Sequence, residues 1–115
     1  MSSDSSRPSL RVNSFFLPRY ASQTVRLPCK PAKFNGSTAA VTTADGGQVT
    51  ISLLPNTHMA PNSYYEVLGQ VVNATTLKTL QVTELGTNID MTLVNSTIQL
   101  MHDERFYGAL FTEQG

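Results

Sequence analysis

Residues 90–103, Asp-Met-Thr-Leu-Val-Asn-Ser-Thr-Ile-Gln-Leu-Met-His-Asp, constrain this chain more than any other stretch. Placed at roughly 100° per residue, Met91, Leu93, Val94, Ile98, Leu100 and Met101 fall within one half of a helix circumference. Thr92, Asn95, Ser96, Gln99, His102 and Asp103 fill the other half. Asp90 is suited to the N-cap, its carboxylate accepting from the free N–H groups of the first turn, and no Gly or Pro interrupts the run. An apolar stripe of roughly 100° seats a helix on its own domain, whereas this arc spans roughly 180°. The surplus suits either a deep groove in its own domain or one edge packed at home with the other left for something else. Leu93 and Leu100 mark one edge, Met91 and Ile98 the other, with Val94 and Met101 between.

The chain before this helix reads as strands. Residues 1–9 are Ser-rich and expected to be disordered, and an arm follows in which Asn13 or Ser14 caps a short turn, with Pro18 near its start. Residues 22–34 alternate, with Val25, Leu27 and Cys29 on one face and Arg26 and Lys30 on the other. Pro28 and Pro31 each lack a donor, so part of that strand is expected at an edge or a bulge. Residues 38–43 and 48–54 form a hairpin around Asp45-Gly46-Gly47. Pro55, Asn56, Pro61 and Asn62 mark a loop, and residues 64–73 are the strongest strand, with Gly69 set for a bend or bulge. A fifth strand runs from Leu77 to Leu85 and ends at Gly86-Thr87-Asn88. The architecture expected is an all-β barrel with a C-terminal helix, specifically a five-stranded Greek-key barrel of the oligonucleotide-binding (OB) type with a short N-terminal arm. Its boundaries are a tail at 1–9, arm and barrel at 10–88, the helix at 89–105 and a tail at 106–115.

At 115 residues this is one domain, with no internal repeat or linker. The segment at the start lacks the apolar core of a signal peptide and no run approaches a membrane span, so an intracellular, soluble protein is expected. The glycosylation-like triplets at Asn35, Asn73 and Asn95 are then chance matches. Net charge is zero but divided: Arg7, Arg11, Arg19, Arg26, Lys30 and Lys33 face one acid, Asp4, before residue 35. That split suits either a nucleic-acid-facing arm or complementary surfaces on one domain.

Catalytic chemistry is sparse. His58 and His102 have neither a neighbouring nucleophile nor metal-ligand spacing, and Cys29 is alone on an apolar strand face. No enzyme, metal or cofactor is expected. The hairpin strands on which an OB barrel binds single strands, Thr-Ala-Ala-Val-Thr-Thr and Gln-Val-Thr-Ile-Ser-Leu-Leu, hold no aromatic, Lys or Arg. Each missing stacking residue removes about 1–3 kcal/mol per base, so only weak contact is expected, through Arg26, Lys30, Lys33 and Phe34.

Several pieces together carry a family likeness. They are Arg11-Val12-Asn13, the strand–turn–strand around Asp45-Gly46 ending in Val49-Thr50-Ile51-Ser52-Leu53, and Glu66-Val67-Leu68-Gly69-Gln70-Val71. Asp90 to Leu93, Asn95, Ile98 to Asp103 and Phe106-Tyr107 complete it, in consistent order. The chain resembles the small, roughly 14-kDa subunit of replication protein A, the eukaryotic heterotrimer that coats single-stranded DNA; Cys29, Pro28 and Pro31 depart from the family pattern. The resemblance implies a non-catalytic nuclear subunit acting in replication, repair and recombination. It also implies that Met91, Leu93, Val94, Ile98, Leu100 and Met101 serve subunit association. The helix would join one helix each from the large and middle subunits in a three-helix bundle, and those partners would do most of the DNA binding. A telomere-capping small OB subunit shares this pattern, and a free-standing weak single-strand binder using the basic arm is the alternative of another class.

Overall fold

The computed structural model describes residues 9–103. The fold turns on the strand β2, Thr24–Asn35, which pairs with three neighbours. The others are β1 (Leu10–Arg11), β3 (Thr38–Thr43), β4 (Gln48–Ser52), β5 (Tyr64–Asn73) and β6 (Thr76–Gly86), followed by α1 (Met91–Met101). The sheet order is β1-β2-β3-β4-β6-β5, and a further β2–β5 pairing closes it into a barrel. Five of these strands are the expected ones. The sixth, β1, comes from the arm and runs parallel to β2, with Leu10 opposite Val25 and Arg11 opposite Arg26. Two residues are too few to show alternation, so periodicity could not reveal it.

The prolines in β2 sit where a neighbouring strand has ended. The Val12 N–H donates to the Arg26 carbonyl at 2.9 Å, so Arg26 turns its backbone groups toward β1. By strand alternation Pro28 faces that flank too, and it lies between Arg26, paired with β1, and Cys29, the first residue paired with β3. Pro31 faces the other flank, beyond Cys29, where pairing with β5 stops. The β2–β3 register then shifts between Pro31 and Lys33, the bulge that the prolines suggest.

Val25, Leu27 and Cys29 point into a single core with Val41, Val49, Ile51, Val67, Val71 and Leu77. Gly69 marks a register shift in β5; a Cβ there would lie 2.6 Å from the Lys78 carbonyl oxygen and 2.7 Å from Leu77 Cγ. Only a residue without a side chain admits β6 this closely. Residues 53–63 form the expected loop, pinned where the Ala60 N–H donates to Tyr65 Oη at 2.6 Å and where Met59 enters the core.

The arm closes the same core with Val12, Phe16 and Leu17. Asn13, almost fully buried, caps its turn, Oδ1 accepting from the Phe16 N–H at 3.0 Å, and a 3-10 turn, Leu17–Tyr20, follows with Pro18 at its start. Asp90 caps α1 as expected, accepting from the N–H groups of Thr92 and Leu93. Regular helix ends at Met101, with His102 as its C-cap. The tail expected at residues 1–9, apart from Ser9, the end of the helix segment at 104–105 and the tail at 106–115 lie outside the described residues. No helix among the described residues is long and apolar enough to cross a membrane.

Candidate functional site

Two surfaces carry the residues singled out by the sequence: the outer side of α1 and the length of β2. On α1, Ile98 is wholly buried in the barrel core, Val94 packs against that core and Met91 is half-buried. Leu93, Leu100 and Met101 remain 64%, 48% and 37% exposed. The six apolar candidates for association thus divide. Ile98 has its side chain fully occupied at home, while Leu93, Leu100 and Met101 stay on the surface.

Polar residues determine where that division falls. Asn13 Nδ2 donates to Asn95 Oδ1 at 2.7 Å, tying the middle of α1 to the arm. His102 Nε2 lies 2.9 Å from the carbonyl of Arg11, which can only accept, so Nε2 donates to it, and Nδ1 faces the Tyr20 hydroxyl at 3.2 Å. The His102 ring also stacks on Phe16, centroids 4.2 Å apart and planes 16° from parallel. Asn95 and His102 were both placed on the polar half by periodicity; here both face the domain. The helix is therefore turned by roughly a quarter circle from the seat its apolar arc alone would choose. Leu93 and Leu100 end up diametrically away from the barrel, flanked by Ser96 and Thr97, and α1 carries no charged residue. A sequence signal for this existed only in hindsight: Asn13 sits in an apolar-flanked arm where a buried amide needs a partner.

The nucleic-acid candidates do not converge. Arg26 Nη1 pairs with Glu66 Oε1 at 3.4 Å, and Arg11 Nε meets Oε2 of the same carboxylate at 2.6 Å. Lys30 Nζ lies 5.2 Å from the centroid of the Tyr64 ring, in a depression of about 320 Å³ that Thr42, Thr43, Ala44, Gly46 and Met91 also line. Lys33 and Phe34 lie past the bulge, opposite Ala40 and Ala39, with Phe34 45% exposed. From Arg26 to Phe34 is eight residues of strand, roughly 26 Å. The faces of β3 and β4 add no aromatic or basic side chain between them.

The remaining reactive groups serve structure. Burial pushes the Cys29 thiol up to about 12, which keeps it protonated. Asp45 accepts from the N–H groups of Ser14 and Phe15 at 3.2 and 3.1 Å, from Ser14 Oγ at 2.7 Å and from the Thr43 hydroxyl. Partial desolvation alone would raise its pKa, but these hydrogen bonds outweigh it and hold the carboxyl below its ordinary value. The turn at Asp45 is thus the anchor of the arm. Among the described residues no group of three His, Cys, Asp or Glu side chains is placed to hold a metal ion.

A family model described as Replication factor A protein 3 matches residues 1–106. Replication factor A protein 3 of Schizosaccharomyces pombe is 30% identical over 107 residues, which cover 93% of this chain and 98% of that protein. Among solved structures, U. maydis replication protein A bound to ssDNA aligns with a TM-score of 0.80 and 32% identity, covering 91% of this chain and 96% of that one. The S. pombe Stn1–Ten1 complex aligns with a TM-score of 0.68 at 10% identity, covering 82% and 91% of the two chains. The telomere capping protein Ten1 from Saccharomyces pombe aligns at 0.67 and 9%, over 80% and 95%. The last two likenesses concern the fold alone.

Proposed function

The chain belongs to the Replication factor A protein 3 family, and from that premise we propose that it is a non-catalytic small subunit holding together a replication protein A heterotrimer. Its working part is the outer edge of α1. The observation that carries this is the division of that helix: Ile98, Asn95 and His102 hold it at home, while Leu93, Leu100 and Met101 lie open on a helix that itself carries no charged residue. Leu93 and Leu100 stand seven residues apart, the spacing of equivalent positions in a coiled-coil heptad, with Ser96 and Thr97 small enough to let a neighbour approach. One helix each from the large and middle subunits would pack along this edge in a three-helix bundle. The complex binds single-stranded DNA in replication, repair and recombination, in the nucleus, and most of the binding falls to the partners.

The telomere-capping alternative shares the barrel and the helix. The much higher identity to replication factor A proteins, 30% and 32% against 10% and 9%, favours the first reading.

The test is co-expression of the tagged chain with the two larger subunits. The parent chain should co-purify with both. Leu93→Asp combined with Leu100→Asp should lose both, because two carboxylates buried in an uncharged seam have no partner. Retention of both partners by the double variant would overturn the assignment of this edge.

A further inference from the structure

A second surface, away from the barrel strands on which single strands bind in this fold class, joins basic and aromatic groups that sequence separates. It begins at Arg26 and Arg11, both bound to the one carboxylate of Glu66. The Arg11 carbonyl accepts from His102, the His102 ring stacks on Phe16, and Phe16 meets Phe15 edge-on with centroids 5.1 Å apart. Arg19 ends the row, its guanidinium carbon 5.4 Å from the Phe15 centroid and 5.2 Å from that of Phe16.

Three features of this row point to a ligand. The Phe15 ring is 65% exposed although the arm around it is packed, with Val12, Asn13, Phe16 and Leu17 all buried. Glu66 engages Arg11 through Nε and Arg26 through one terminal nitrogen, while those side chains stay 51% and 43% exposed. A guanidinium has five N–H donors, so both arginines are held in place yet keep outward donors for a second anion. Arg19 makes no ion pair with a carboxylate among the described residues. Three guanidiniums stand along the row against two carboxylates, Glu66 and the Asp45 that accepts from the Phe15 N–H, so positive charge still exceeds negative beside the exposed Phe15 ring. Planar rings edged by fixed cations suit a nucleobase with its phosphates.

We propose that this strip, Arg26–Arg11–Phe15–Arg19, is a single-stranded nucleic-acid contact of the arm, with a base stacked on Phe15 and phosphates held by Arg19, Arg11 and Arg26. It rests on the assembly reading above. Met101, at the end of the free edge of α1, lines the same hollow as Arg11 and Arg26, so the strip adjoins the edge assigned to the partners. The contact extends the path of DNA across the complex rather than starting it.

The experiment uses the co-expressed complex. Phe15→Ala and Arg19→Gln are the variants, since both residues are exposed and touch the core only at the edge of Phe16. Binding is titrated in a salt series with two oligothymidines, one long enough to span every subunit and one too short. For the long strand Phe15→Ala should weaken binding about five-fold or more, and Arg19→Gln should lower the salt slope by about 1. The short strand should bind as before, and thermal unfolding of the complex should move by no more than the loss of an edge contact on Phe16 allows. Long strands carrying a photoreactive base should crosslink within residues 15–19. Unchanged affinity and slope without crosslinking overturns the proposal alone. So does a loss of partners in either variant, which makes the strip a protein contact. Failure of the parent chain to enter the complex overturns the assembly premise, and the proposal falls with it.

Discussion

Leu93 and Ile98 lie little more than one turn apart on the same helix, yet Leu93 is 64% exposed and Ile98 is fully buried. Their hydrophobicity is nearly equal, so it does not decide which one goes inside. The decision comes from side chains that apolar patterning ignores. Asn95 reaches Asn13, and His102 bonds Arg11 and Tyr20 while stacking on Phe16. Hydrogen bonds have direction where hydrophobic burial has none, so two polar ties fix the rotation that an apolar arc leaves loose. The barrel face of the helix is held by specific bonds, and the edge with Leu93 and Leu100 is left exposed.

The largest effect that breaks this contrast is on the buried edge. Ile98→Ala removes a fully buried side chain at about 2–5 kcal/mol, a large share of the roughly 5–15 kcal/mol that holds a small domain. For a chain of this size that lowers Tm by about 8 °C or more. Met91→Asp with Ile98→Asp should leave no cooperative transition in thermal unfolding. A double variant that melts like the parent would mean the helix does not belong to the core.

Asn13→Ala comes next, because it removes the cap on the arm turn and the tie to Asn95 at a site that is 1% exposed. The expected loss is about 1–3 kcal/mol, with the Asn95 amide and the Phe16 N–H left without their partner. The same variant should also slow co-purification of partner subunits, since the rotation of α1 is no longer fixed. A full loss of stability with normal assembly would show that the tie serves the arm alone.

Periodicity revealed the helix, its Asp90 cap, the Asp45 hairpin, the bend at Gly69 and the inward side of β2. Those features are local, or repeat at a fixed interval, and each leaves a pattern in neighbouring residues. What stayed hidden depends on distant partners. Asn13 and Asn95 are 82 residues apart, as are Tyr20 and His102, and Arg11 meets Glu66 across 55. No spacing rule links them. The apolar edges of α1 were legible, but which one stays free was not, because that depends on these long-range bonds. The basic candidates on β2 were read by charge alone, and charge does not tell Arg26, held by Glu66, from Lys33, standing past the bulge. Adjacency in sequence does not tell Phe15 from Phe16 either, yet Phe15 is 65% exposed and Phe16 is buried.

Acid should loosen the arm by a smaller amount. Asp45 has a lowered pKa in the folded state, so its contribution is present above the ordinary carboxylate value and is lost as pH falls through the folded one. Below about pH 4 the bonds to Ser14 and Phe15 should weaken, releasing Phe16 from His102 before the barrel melts. Resonances of Phe15, Phe16 and His102, followed by NMR across that range, should shift together and ahead of those of Val67 and Ile51. In Asp45→Asn that early step should vanish. A single transition shared by arm and barrel in the parent chain would mean that the arm is not a separate unit.

The smallest effect is the one that gives the comparison its meaning. Leu93→Asp with Leu100→Asp, made in the isolated chain, should change stability by no more than about 0.5 kcal/mol, because both side chains are largely exposed and neither is part of the buried core. Leu93 lies in the first turn of α1, where a carboxylate favours the positive end of the helix dipole, and Leu100 in the last, where it does not, so the two charges roughly cancel. Removing two exposed leucines also removes the apolar surface through which isolated chains stick together. The variant should therefore sediment as a cleaner monomer than the parent while melting at nearly the same temperature. The parallel measurement is Leu93→Ala with Leu100→Ala, which trims the edge without adding charge and should behave alike. If either pair lowers Tm as far as Ile98→Ala, the outer edge carries hidden contacts with its own domain, and the division of the helix into a home side and a partner side is wrong.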